Sequence, residues 1–63
     1  MASLAVVARN RLNGLEYLVR AADRVEWAVS AEGAERFQNL REATRAAMRL
    51  PSTIRAFALP AAS

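Results

Sequence analysis

Leu4, Ala8, Arg11, Leu15, Leu18, Ala22, Val25 and Val29 recur at alternating intervals of four and three, and this spacing constrains the fold more than any other feature of the chain. At about 100° per residue these positions form one stripe, bordered by Val7 and Val19, with Leu12 beside the polar member Arg11. Arg9, Asn13, Glu16, Arg20, Asp23 and Arg24 lie opposite. The pattern predicts an amphipathic helix over about 3–29 with Ser3 as its N-cap. Gly14 inside it costs roughly 1 kcal/mol relative to Ala and marks a close helix approach.

Ser30-Ala31-Glu32-Gly33 breaks the pattern, either with Gly33 as a left-handed cap or with Ser30 as the N-cap of the next helix. The turn at 30–33 then leads into a second helix over about 34–50, stopped by Pro51. Phe37, Leu40, Thr44, Ala47 and Met48 form its apolar stripe. Glu16–Arg20 and Glu32–Arg36 are i,i+4 pairs in the favourable order. No stretch reads as period-two alternation over a useful length, so strands are not expected. The tail, 51–63, has room for one helical turn between Pro51 and Pro60, capped by Ser52 or Thr53, with Ile54, Phe57 and Ala58 on one face and a frayed end at 61–63. The expected fold class is therefore all-α: a helical hairpin of two amphipathic helices with a short proline-bounded tail, one module over 1–63.

Size limits what this hairpin can do alone. A chain of 63 residues buries only about 60% of its unfolded surface, and small domains usually add disulfides, a metal or a partner. No Cys and no His are present, which excludes a disulfide framework, a zinc knuckle, a thiol nucleophile and the commonest general base. All nine basic residues are Arg, so Schiff-base chemistry and a Walker A loop are excluded as well. Gly14 and Gly33 stand too far apart for a phosphate cradle. All six acids fall on expected helix surfaces, with little volume to enclose a pocket. The reading is non-enzymatic, with no cofactor, no metal and no catalytic residue, and with oligomerisation or a partner completing the fold. No uncharged stretch approaches the ~20 residues of a membrane span, and the acids Glu16, Asp23, Glu26 and Glu32 would repel anionic lipid. A cytoplasmic location is expected.

Two groups of residues are candidates for function. Tyr17 and Trp27 fall off the main stripe of the first helix, and with Arg24 they would form an aromatic and Arg anchor for another protein. Ile54 and Phe57 in the tail would seat in a partner groove. Together these imply a protein-interaction module, an accessory, structural or regulatory subunit docking into a larger assembly. The second group follows from charge: residues 36–63 hold five Arg against Glu42, and Arg41, Arg45 and Arg49 repeat every four residues as a ridge. The alternative is a homodimeric four-helix bundle that grips RNA or DNA phosphates through that ridge.

Overall fold

A computed structural model of the chain describes residues 4–21 and 24–61, and it replaces the helical hairpin with a four-stranded antiparallel sheet carrying one short helix. The strands are β1 (Ala5–Arg11), β2 (Gly14–Ala21), β3 (Arg24–Ala28) and β4 (Phe57–Pro60), in the order β3-β2-β1-β4. The helix α1 spans Leu40–Met48. Ser3, Ala22 and Asp23, all assigned to the first helix by the sequence pattern, lie outside the described residues, as does the chain end at 62–63.

The first expected helix is three strands because its local turn chemistry favours a hairpin. Leu12 and Asn13 form a two-residue turn, and Gly14 opens β2 at φ 128. Neither Leu12 nor Asn13 has a positive φ, so the reversal takes the form of an ordinary turn closed by a glycine in a conformation other residues rarely adopt. Pairing runs from Arg11↔Gly14 to Ala8↔Tyr17, and β2 returns to β3 from Tyr17↔Ala28 to Ala21↔Arg24. Side chains alternate between faces along a strand. The supposed helical stripe is consequently split, with Leu4, Ala8 and Leu15 on one face and Leu18 and Val25 on the other.

Beyond Ala8 the β1–β2 ladder gives way to a different partner. Phe37 exchanges both backbone hydrogen bonds with Ala5 (Phe37 N to Ala5 O 2.8 Å, Ala5 N to Phe37 O 3.0 Å), and Glu35 N donates to Leu18 O at 2.9 Å. The break expected at 30–33 is a single tight turn, Ala31–Gly33, with Ser30 Oγ accepting from Glu32 N at 3.2 Å. Gly33 has no positive φ, so it is no left-handed cap.

The second helix is about half its expected length. Its N-cap is Asn39, whose Oδ1 accepts from Glu42 N at 2.9 Å, which leaves residues 34–39 outside the helix. Its buried side matches the expected stripe only at Ala47. Ala43 and Ala47 are buried, with Ala46 and Leu50 partly so, whereas Leu40, Thr44 and Met48 face solvent. Small Ala side chains let α1 lie close on β1 and β4, over a core of Ala5, Val7 and Leu18. In the tail Ser52–Ile54 does form a helical turn. Arg55 then turns the chain at φ 57, and Phe57–Pro60 pairs with β1 as an edge strand. Phe57 and Ala58 therefore point to opposite faces instead of sharing one.

Candidate protein interface on the helix-free face of the sheet

The two faces of this sheet are built from the same strands and finished differently. Ala5, Val7, Leu18, Trp27 and Ala58 point toward α1 and the 31–37 segment and form the packed core with Ala43, Ala47, Phe37 and Leu50. The opposite face carries Leu4, Val6, Ala8, Leu15, Tyr17, Val19, Ala28, Phe57, Leu59 and Ala61, and none of these belongs to that core. Ten apolar or aromatic side chains thus share a face outside the cluster that α1 closes.

Register places these residues in rows across the strands. Ala28, Tyr17, Ala8 and Phe57 are successive partners, so one row crosses the whole sheet from β3 to β4. Val6 pairs with Leu59 and Val19 with Glu26, but β1 and β2 are no longer paired there, because Phe37 bonds to Ala5 and Glu35 to Leu18. Ala8 is 0% exposed and Val6 4%, although neither belongs to the cluster that α1 closes. Tyr17, Val19, Phe57 and Leu59 beside them are each half-buried.

Of the strand residues on this face the charged ones are at the β3 edge, where Arg24 and Glu26 pair with each other, Nε to Oε2 3.1 Å. Arg36 stands between Glu35 and Phe37, where that segment pairs with β2 and β1. Asn10 lies near the hairpin end, beside an open depression lined by Asn10, Leu15 and Tyr17 together with Arg11, Glu16 and Val29. Among the described residues there is no group of three or more acids that could hold a metal. No helix is long and apolar enough to cross a membrane.

Of the interface candidates read from sequence, Tyr17 and Phe57 fall in one row on this face, and Arg24 lies at its edge. Trp27 is on the other face, packed into the core with the Arg9 guanidinium 4.3 Å from its ring centroid. Arg9 is held there by Glu16, whose Oε1 accepts from Arg9 Nε and Nη2 at 2.9 and 2.7 Å and has Arg11 Nε at 3.7 Å. Trp27 is thus a core residue roofed by a cation, and not an anchor on the polar side of a helix. Ile54 sits half-buried in the turn before β4, apart from Tyr17 and Trp27. The structure separates the proposed anchors that a helical reading had grouped.

Arg41, Arg45 and Arg49 are all exposed along the outer side of α1 and its C-cap. Arg45 has Glu42 at 4.0 Å, the limit of an ion pair. The four-helix bundle that was to carry this ridge is ruled out, because the described residues form one nine-residue α-helix where two long ones were expected. Val6, Ala8, Leu15, Val19 and Leu59 are the members of the apolar face that helical reasoning missed. Their signal was present in Leu15-Glu16-Tyr17 and in Arg24-Val25-Glu26-Trp27, where polar and apolar residues alternate.

Compared with protein-family models, curated proteins and solved structures, the chain matches none.

Proposed function

We propose that this chain is a non-enzymatic protein-interaction module, an accessory or structural subunit that docks through the helix-free face of its sheet. One observation carries the reading: that face presents apolar or aromatic side chains from all four strands outside the cluster that α1 closes. A patch of this size, some four strands by five or six residues or on the order of 400 Å² in projection, sits at the scale of functional patches on small proteins. The sequence of β1 supports the same view. Ala5-Val6-Val7-Ala8 is a continuous apolar run, the pattern of a strand covered on both sides, while the described elements cover one. The composition adds support, since His, Cys and Lys are all missing.

The test is a photo-crosslinking amino acid placed at Leu15 or Leu59 on the proposed face, and at Arg45 on the outer side of α1. Protein adducts are expected from the first two positions and not from the third. Equal yields from all three, or none from Leu15 and Leu59, would remove the reading.

A further inference from the structure

We infer that the outer side of α1 is a nucleic-acid surface, on which Arg41, Arg45 and Arg49 hold successive phosphates of one strand without reading its sequence. The inference stands apart from the docking face, which lies on the other side of the sheet, and it is carried by how the structure sorts the arginines. Each arginine of the strands has a carboxylate within reach. Arg9 and Arg11 have Glu16 at 2.7 and 3.7 Å, Arg20 has Glu35 at 3.3 Å, and Arg24 has Glu26 at 3.1 Å. After Glu35 the pairing stops. Among the described residues Arg36, Arg41, Arg49 and Arg55 have no carboxylate within 4.0 Å, and Arg45 reaches Glu42 only at that limit. The excess positive charge of the chain thus falls in 36–63, where five Arg stand against Glu42.

α1 turns Ala43 and Ala47 onto the sheet, which leaves Arg41 and Arg45 outside, the Arg45 side chain 65% exposed. Arg49 extends the row. As the C-cap it keeps helical angles, φ −77 and ψ −14, and its N–H donates to Arg45 O at 3.3 Å. Steps of four residues advance about 6 Å along a helix, so the three guanidinium groups span about 12 Å. The one acid beside them, Glu42, stands in the first turn, where its charge suits the helix N-terminus. Like charges four residues apart repel and oppose helix formation. The strands avoid that cost by pairing their arginines, and a row of phosphates laid along the ridge would cancel it here.

The chemistry of the ridge selects its occupant. Guanidinium groups take phosphate oxygens bidentately, and a nucleic-acid strand presents phosphates in a regular row. Met48, three residues after Arg45 and 78% exposed, lies on the same side and offers its thioether to the face of a base. An anionic membrane fits less well. The apolar side of α1 is spent on the sheet, and only Leu40 and Met48, at its two ends, remain exposed to enter lipid. Three phosphates set the strength, with a dissociation constant on the order of 10–100 μM at low salt and a log–log salt slope of about 2.

The experiment is fluorescence anisotropy of a labelled oligothymidylate of about 20 nucleotides, titrated with the full chain across a salt series. Circular dichroism on each variant checks that it keeps the parent fold. Arg41→Gln/Arg45→Gln should bind at least about tenfold more weakly and lower the salt slope from about 2 to below about 1. Arg11→Gln/Arg24→Gln removes the same charge from the sheet and should bind within about twofold of the parent. Equal weakening in the two doubles would overturn the ridge, because net charge alone would then account for binding. A parent that leaves the anisotropy unchanged up to about 500 μM at low salt would overturn it as well. Polyglutamate or phosphatidylserine vesicles that displace the oligonucleotide at equal charge concentration would overturn the nucleic acid as occupant.

Discussion

The covered and open faces of this sheet use nearly the same residue types, and what separates them is what the rest of the chain brings to each. On the covered side Ala43 and Ala47 press against Ala5, Val7 and Leu18, and the described chain supplies the whole lid. On the open side Val6 and Ala8 are buried outside that cluster, and Tyr17, Val19, Phe57 and Leu59 are half-exposed. An apolar side chain in the first group is packed by a second layer and contributes to folding, whereas on the proposed docking reading one in the second group contributes mainly to association. The difference teaches that burial fraction alone does not identify a core: Ala8 and Val7 are both 0% exposed, yet only Val7 is packed by a second layer.

Substitutions can break or sharpen that contrast. The largest effect is expected for Leu18→Ala, which opens a cavity beneath Trp27 and α1 and should cost about 2–5 kcal/mol in urea unfolding. Leu59→Ala, of identical chemistry on the open face and half-buried, should cost markedly less, about 1 kcal/mol. Equal losses in the two would erase the distinction between the faces. Next comes Ala43→Leu, where α1 sits directly on the sheet, with about 1–3 kcal/mol lost through overpacking. Gly14→Ala should cost a similar amount, about 1–3 kcal/mol, since φ 128 is strained for any side chain even though nothing lies within 4 Å of the added methyl. Gly33→Ala, equally open but without a positive φ, should be neutral or stabilising. Asn39→Ala should remove the cap of α1 for about 1 kcal/mol. The smallest effect, within about 0.5 kcal/mol, is expected for Arg41→Ala on the exposed side of the helix. Thermal or urea melts monitored by circular dichroism at one fixed concentration check the whole series.

How much of this was legible follows from where periodicity fails. Intervals of four keep a residue on the same face of a strand and on nearly the same side of a helix, so Leu4 to Ala8 suits both. Intervals of three separate the two; they fall at Ala8–Arg11, Leu15–Leu18 and Ala22–Val25, and at Leu15–Leu18 both residues are apolar on opposite faces of the sheet, so the switch of face passes unnoticed. A sheet with two apolar faces does not alternate cleanly, and β1 does not alternate at all. Asn13-Gly14 within an apolar context was the stronger local signal, and it marked the hairpin. The short helix was hidden for a different reason. Its buried side is Ala, and the Leu40 and Met48 that suggested a stripe point away from the sheet. Tyr17 and Phe57 were singled out as isolated aromatics, but what joins them is the register through Ala8, which no local pattern carries. The break near 30–33, the stop at Pro51 and the turn at Ser52–Ile54 were readable because Pro and Ser act on the backbone whatever the tertiary context.

The most direct test of the open face is methyl NMR with a soluble paramagnetic probe in dilute solution. The account predicts that the methyl groups of Leu15, Val19 and Leu59 are attacked by the probe, while those of Val7 and Leu18 are protected. Leu15, Val19 and Leu59 methyls as protected as those of Val7 and Leu18 would contradict it.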